Sequence, residues 1–455
     1  MKTRRLSDVA RAVGGSMLGE DVDVDRIVTN SKDAEPGALF FALPGERTDG
    51  SLFVADAFAN GAAAAIVPDH VDATGPVVHV RSPGEALLRL AADERATTLS
   101  GAKVIGVTGA NGKTATKDLA ASVLRQRFRT HSSPESFNNE IGLPVTLLSA
   151  IDGVEVIVAE MGARHVGDVR ALCRIARPDV VVVTNVGVAH LEVFGSWQAI
   201  VEASAEPVEE LAPQGVAVLS ADDRVVAGYA VRTAARVVTF GLSSHAEVRA
   251  EEVALDAEGR ASFTLAHAGL RERVELAVPG EHMVSNALAA AGCGLVLGLS
   301  IAECALGLKE ARISHWRMET FASAEGVRVV NDAYNANPES MAAALKAAQW
   351  MAREGRLIAV LGPMAELGPI SLQEHERLGE LAARIRVERL ITVGPEARAI
   401  AAAGLREGVE PENVASYDDP DEALADATTH ARPGDVLLFK ASRVVGLERL
   451  AEALR

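Results

Sequence analysis

Apolar and polar positions alternate in blocks along this chain. Short apolar runs at residues 104–107, 154–159 and 180–184 have the length of strands and no regular polar positions. That is the pattern of parallel strands covered on both faces. Helical spacing lies between and after them, so a mostly parallel, doubly wound sheet is predicted. Ahead of this block, residues 6–13, 53–60 and about 83–97 read as helices. Strands are expected at the end of 27–32, after the turn that opens 35–45, and at 62–67 and 77–80. Behind it, apolar runs at 327–330 (Arg328 its one charged position), 357–361, 390–393 and 436–439 alternate with further helices. From about 246 to 278 the period falls to two, with Asp-Ala-Glu-Gly and His-Ala-Gly turns, which predicts an antiparallel edge region. The whole is an α/β pattern in three units, residues 1–98, 99–313 and 314–455.

The chemistry gathers where the apolar runs end. The first runs into Thr108-Gly109-Ala110-Asn111-Gly112-Lys113-Thr114, then a helix. A strand, a glycine-rich turn and a helix opened by Lys-Thr form a nucleotide-phosphate loop. Its backbone N–H groups and helix N-terminus face phosphates, Lys113 reaches the terminal ones and the Thr114 hydroxyl serves a magnesium ion. The strict pattern has glycine where Val107 stands. The second run ends at Glu160 and the third leads to Thr184-Asn185 and His190. Ligands sit at the carboxyl ends of strands in such sheets, so Glu160 and His190 are placed at one metal–phosphate cluster. Magnesium prefers oxygen ligands, which suits Glu160 better than His190.

Other polar stretches carry two readings. Residues 136–144, with Asn138, Asn139 and Glu140 before Gly-Leu-Pro, are a substrate loop or a polar turn. Asn30, Ser31, Lys32, Arg47 and Asp49 bind a ligand or make ordinary turns. His282 and Asn286, four apart, share a helical face and can address one base or one loop. Residues 331–341 form a dense polar loop before a helix, and Lys440-Ala441-Ser442-Arg443 follows the last apolar run.

At 455 residues the chain is long enough for two to four domains with sizeable cores. Its net charge of -17 argues against a nucleic-acid surface, and an aromatic content of 4% offers few stacking platforms. Cys173, Cys293 and Cys304 lack metal-ligand spacing and read as buried apolar groups. Residues 1–12 lack the apolar segment of a signal peptide, and no apolar run reaches the length of a membrane span, so a soluble cytoplasmic protein is expected.

These motifs together resemble the Mur ligases of peptidoglycan synthesis. The resemblance is carried by the phosphate loop at 108–114 and by Phe-Asn-Asn-Glu-Ile-Gly-Leu-Pro at 137–144. Glu-Met-Gly-Ala at 160–163, Asn-Val-Gly-Val-Ala-His-Leu-Glu at 185–192 and Trp-Arg-Met-Glu at 316–319 add to it. Asn-Asp-Ala-Tyr-Asn-Ala-Asn-Pro at 331–338 and Lys-Ala-Ser-Arg at 440–443 complete it. It implies a three-domain fold. The first domain binds a UDP-sugar, the central phosphate-loop domain binds ATP, and a C-terminal Rossmann-like domain closes over the site. It implies an ATP- and Mg2+-dependent ligase forming an amide through an acyl phosphate, and a monomer. The implied substrates are UDP-N-acetylmuramoyl-tripeptide and the dipeptide D-alanyl-D-alanine. By position, Lys113, His190 and Arg317 are catalytic. Gly109, Asn111, Gly112, Lys113, Thr114, Asn286, Arg317, Asp332 and Asn335 hold ATP. Thr114, Glu160 and His190 hold metal. Ser31, Lys32, Asn138, Asn139, Lys440, Ser442 and Arg443 hold substrate.

Three positions depart from the family. Ser204 stands where the resemblance places a lysine that carries a carbamate and ligates a second magnesium. Glu202 and Glu206 are the nearby acids. Asn30-Ser31-Lys32 replaces Asp-Ser-Arg, exchanging a planar fork for a point charge. Pro363 stands where the family has an acid, removing a charge and a backbone donor. The departures leave two alternatives beside the cell-wall ligase. One is a paralogue forming a different amide in specialised metabolism, and the other is a non-catalytic ATP-binding protein.

Overall fold

The computed structural model describes every residue except Glu46 and Arg47, so the candidate Arg47 lies outside the described residues. Three sheets follow one another along the chain, with a two-stranded pair, Arg4–Arg5 and Asp23–Val24, beside the first. The first sheet has the spatial order Ser16–Leu18, Val77–Val80, Ala64–Pro68, Ala38–Phe41, Arg26–Val28. Only its outermost pair, Ser16–Leu18 with Val77–Val80, is antiparallel. Every residue of Ala38–Phe41 is buried, as a continuous apolar run requires. The helix Pro83–Ala96 starts on Ser82, whose hydroxyl accepts from the Glu85 N–H at 3.3 Å, with proline at the first helical position. One apolar core runs from Leu6, Leu39 and Ile66 into Leu143, Ile157 and Met161, joining this unit to the next.

The central sheet has nine strands. In spatial order they are Leu270–Pro279, Arg260–His267, Val248–Leu255, Arg236–Gly241, Val216–Ser220, Val180–Val183, Lys103–Thr108, Val156–Glu160 and Thr130–Ser132. Pairing is parallel from Thr130–Ser132 to Val248–Leu255 and antiparallel in the last three. From Lys103–Thr108 the chain first builds toward Thr130–Ser132 and then turns back to Val180–Val183 on the other side. The order therefore reverses beside Lys103–Thr108, at the switch point where doubly wound sheets bind ligands. Helices Lys113–Arg125, Met283–Val296 and Ile301–Glu310 cover one face, where Leu119, Val123, Leu288 and Leu308 are fully buried.

The third sheet runs Glu319–Ala322, Arg328–Asn331, Val436–Lys440, Leu357–Leu361, Arg389–Val393, Val414–Tyr417, with only the first pair antiparallel. Separate apolar clusters cover its two faces. Arg356 grips Asp435 at 2.5 Å, and Arg389 grips Asp426 through two bonds of 2.6 and 2.7 Å. Burial pushes both carboxyls up, but the hydrogen bonds they accept outweigh it and hold both below the ordinary aspartate value. A depressed folded pKa contributes stability that is whole above the unfolded value near 4 and is lost as pH falls through the folded one. Urea midpoints for this sheet are expected to stay level from about pH 7 to 5 and to drop below about pH 4, with Asp435→Asn flattening the drop. Among the described residues no helix is long and apolar enough to cross a membrane.

Candidate active site

The phosphate loop takes its shape from the neighbouring strand end. The Ala110 N–H donates to the Asn185 carbonyl and the Asn111 N–H to Asn185 Oδ1, both at 2.9 Å. Asn185 Nδ2 and the Thr184 hydroxyl both donate to the Asn111 carbonyl, at 3.0 and 2.7 Å. Gly109 and Gly112 have φ of +130° and +78°. A Cβ on them would fall 2.1 Å from Thr184 Oγ1 and 2.3 Å from Asn286 Oδ1, so only glycine fits either place. Val107 is a buried strand residue, and the turn begins two residues after it, which is why the loop does without the earlier glycine.

Lys113 folds back on this loop, its Nζ donating to the Gly109 and Ala110 carbonyls at 2.8 and 3.3 Å. Burial pushes its ammonium below the ordinary lysine value, against the pull of Glu160. Thr114 and Glu160 are both buried, and the Thr114 hydroxyl donates to Glu160 Oε2 at 2.8 Å. Since Thr114 has one proton, the Ser136 hydroxyl, 2.9 Å away, donates to it. Ser136 in turn accepts from Arg317 Nη2 at 2.7 Å. The other carboxylate oxygen of Glu160 accepts from Asn138 Nδ2 at 2.8 Å. A single directed chain, Arg317 to Ser136 to Thr114 to Glu160, thus links the third unit to the phosphate loop.

Arg317 sits on the connection between the units. Its neighbours Trp316 and Met318 have φ of 60° and 52°, strained for bulky residues. Its guanidinium lies 4.2 Å from the centre of the Tyr334 ring, and its buried Nε has no hydrogen-bond partner among the described residues. The Met318 N–H donates to Asp332 Oδ1 at 2.9 Å, and Ser314 bonds Asp118, the residue after Lys117. Lys117, one turn beyond Lys113, is buried and donates to the Ser133 and Glu135 carbonyls at 2.8 and 2.7 Å, shaping the loop that presents Ser136. Asn337 Nδ2 reaches Asn111 Oδ1 at 2.6 Å, a second bridge from the third unit.

These groups open on a cleft of about 930 Å³. Asn111, Gly112, Lys113, Thr114, Asn138, Asn139, Glu160, His190, Asn286, Arg317, Asp332, Asn335 and Lys440 line it, and Gly109 lines a small cavity behind the loop. Several are already committed. Asn139 Oδ1 accepts from the Ile141 and Gly142 N–H groups at 3.2 and 2.9 Å, holding the start of helix Gly142–Leu148. Lys440 Nζ is buried on Asp332 Oδ2 at 2.5 Å and the Asn335 carbonyl at 3.0 Å, so its donors serve the polar loop itself.

The remaining candidates lie off the cleft. Ser442 is buried and its hydroxyl accepts from the Ala365 N–H at 2.8 Å. Arg443 pairs with Glu448 at 3.1 Å and stacks 4.2 Å from the Trp316 ring, bracing the connection. Ser31 is buried in a short turn of the first unit and Lys32 is exposed on it. Asn30 Oδ1 accepts from the Lys32 N–H at 3.1 Å, the acceptor role an aspartate would fill there. The two acids near Ser204 are engaged elsewhere or face solvent. Glu206 caps helix Asp168–Ala176 by accepting from the Gly167 and Arg170 N–H groups, and Glu202 is exposed beside Gln198.

Among the described residues no three His, Cys, Asp or Glu side chains gather closely enough to hold a metal by themselves. The Thr114 hydroxyl and the Glu160 carboxylate are hard oxygen donors, and such a pair fits a magnesium ion that takes its other ligands from water and phosphate. The Arg317 side chain lines the same cleft, and its positive charge fits an anionic group there.

Comparison with known proteins bears on this arrangement. Three family models match in succession: "Mur ligase family, catalytic domain" over residues 23–121, "Mur ligase middle domain" over 107–294, and "Mur ligase, glutamate ligase domain" over 316–443. The UDP-N-acetylmuramoyl-tripeptide–D-alanyl-D-alanine ligase of Mycobacterium tuberculosis is 39% identical, with 99% of this chain and 97% of that one covered. The Bacillus subtilis ligase of the same name is 33% identical over 100% and 99%. The crystal structure of MurF from Acinetobacter baumannii superposes with a TM-score of 0.87 at 31% identity, covering 100% and 99% of the two chains. MurF ligase from Thermotoga maritima, solved in complex with ADP, gives 0.81 at 30% identity over 95% and 97%. The cleft between the second and third units is thus found in a chain that belongs to the Mur ligase family.

Proposed function

We propose that this chain uses ATP to join D-alanyl-D-alanine to the peptide carboxylate of UDP-N-acetylmuramoyl-tripeptide in peptidoglycan synthesis. One observation carries the amide-forming chemistry: Arg317, with an unpartnered buried N–H, is wired through Ser136 and Thr114 to Glu160 beside Lys113. The substrates are those named for relatives that match along the whole chain. A carboxylate approaching a triphosphate meets like charge, and Lys113 and Arg317 supply the opposite charge. Thr114 and Glu160 would hold magnesium, which when bound neutralises phosphate oxygens. The peptide carboxylate oxygen bonds to the γ-phosphorus, and the bond to the bridging oxygen breaks with its electron pair leaving on ADP. The dipeptide amine then attacks the acyl carbon. The tetrahedral adduct expels phosphate, and the amine proton passes to water.

Within this reading the three units, 1–98, 99–313 and 314–455, divide the work. The turn at Ser31 and Lys32 serves the UDP end. Asn138 and Asn139 lie toward the acceptor, and Asn286, Asp332 and Asn335 toward the adenosine. A monomer acting in the cytoplasm, on a nucleotide-activated sugar, is part of this reading. The test is phosphate release from ATP and magnesium with both substrates, with the product mass measured. Release that needs both acid and amine is expected, with a product equal to their sum less one water. Retained ATP binding without product would overturn the reading. Ser204→Lys run alongside then shows whether that one side chain is the fault.

A further inference from the structure

The junction between the second and third units holds a partly buried contact the mechanism above does not use. Glu366, from the third unit, reaches His190 in the second, where one carboxylate oxygen takes the ring Nδ1. Its other oxygen accepts from Arg164 Nη2 at 2.5 Å, and its backbone carbonyl accepts from the Glu192 N–H at 3.0 Å. Both His190 and Glu366 have φ of 60°, a backbone region that side-chain-bearing residues rarely enter. Two strained residues meeting across a unit boundary, each held by the other, are a built contact rather than a chance one.

An ionised carboxylate only accepts hydrogen bonds, so Nδ1 carries the ring proton and Nε2 keeps the lone pair. The ring borders both the main cleft and the small cavity behind the phosphate loop. We propose that Glu366 is a positioning residue that fixes His190 as the Nδ1–H tautomer, leaving Nε2 free to accept from a bound water or to ligate a divalent cation. The carboxylate comes from the third unit, so His190 is set only when that unit is docked. Docking and readiness of the site are one event. Arg164 keeps the carboxylate aimed.

The kinetic part of this proposal rests on the ligase reading, whereas the tautomer part stands without it. Histidine-15N protein, with His190 assigned by its absence in His190→Gln, gives the tautomer from long-range proton–nitrogen spectra. Wild type is expected as Nδ1–H. Glu366→Ala moves the ring away from that tautomer, while Glu366→Gln retains it because the amide oxygen still accepts. In the ligase assay Glu366→Ala is expected to lower kcat about 10- to 100-fold and to raise the magnesium needed for half activation. The KM for ATP changes little, and Glu366→Gln recovers most of the loss. A His190 tautomer unchanged in Glu366→Ala overturns the proposal. So does a tautomer change with unaltered kcat and magnesium dependence. Should Glu366→Ala fail to fold, Glu366→Asp, which withdraws the carboxylate by one methylene, decides by the same spectra. If wild type makes no product, the ligase reading falls and the spectra alone decide whether Glu366 sets the ring.

Discussion

Arg317→Ala is expected to lower kcat about a thousandfold while ATP binding weakens far less. An arginine that meets transferring phosphoryl charge is worth roughly 10³ to 10⁵ in turnover. The lower end applies because Lys113 remains beside it. Three observations support the proposal of that role. It stacks 4.2 Å from the Tyr334 ring, it donates to Ser136, and it keeps a buried Nε without a partner. The loss should therefore fall on kcat, where phosphoryl charge develops, more than on the KM for ATP. Arg317→Lys retains the charge but neither the planar fork nor the stacking, so most of the loss persists. Steady-state phosphate release checks both variants, and a KM effect with kcat unchanged would reduce Arg317 to a binding group.

Asp426→Ala is expected to destabilise the third unit by about 3–5 kcal/mol, the cost of leaving a buried charge without its partner. Arg389 and Asp426 have side chains only 9% and 6% exposed. Besides the two bonds between them, Arg389 donates to the Glu412 carbonyl at 2.9 Å and the Tyr417 hydroxyl donates to Asp426 at 2.6 Å. Removing the carboxylate strands the guanidinium and the phenol together. Replacing both charged partners by apolar residues of similar volume should recover most of the loss, because the pair's attraction roughly offsets its desolvation. Urea unfolding of the full chain, followed by a probe in the third unit, measures the difference. Equal loss in the single and double variants would mean that packing, not the stranded charge, is responsible.

The sequence made some of this plain and concealed the rest for physical reasons. Strands such as Val180–Val183, buried on both faces, are written as unbroken apolar runs. Thr130–Ser132, Glu319–Ala322 and Val414–Tyr417 lie at sheet margins, are partly wet, and leave no such run. Lys113, Thr114 and Glu160 were legible because they follow the ends of two apolar runs, and neighbouring parallel strands end side by side. Ser136, Asn185, Asn337 and Glu366 were not, since each acquires its role from a group far along the chain. The nearest signals were a Thr-Asn pair closing the third apolar run, for Asn185, and a lysine four residues after Lys113, for the loop that holds Ser136. Lys440, Ser442 and Arg443 show how two kinds of polarity coincide at a strand end. A strand end is where backbone polar groups emerge from the core, and these side chains satisfy them or brace the connection. Structural and ligand-binding polarity look alike in one dimension. Glu206 shows the same ambiguity: two residues from Ser204, it is spent on a helix N-terminus.

The hairpin that ends the central sheet bears on how the protein behaves in a crowded solution. Leu270–Pro279 is one of the two outer strands of the nine, and among the described residues no further strand pairs with its outer margin. Such a margin is a template on which another copy can add a strand, and from there a filament can grow. Arg271, Glu272, Arg273 and Glu275 occupy this strand, with both signs interleaved over five residues. Extending the sheet would press these charges against an identical set and strip water from them. The strand that completes the fold therefore also ends it, and the cost of desolvating its side chains guards the chain against growth by self-templating.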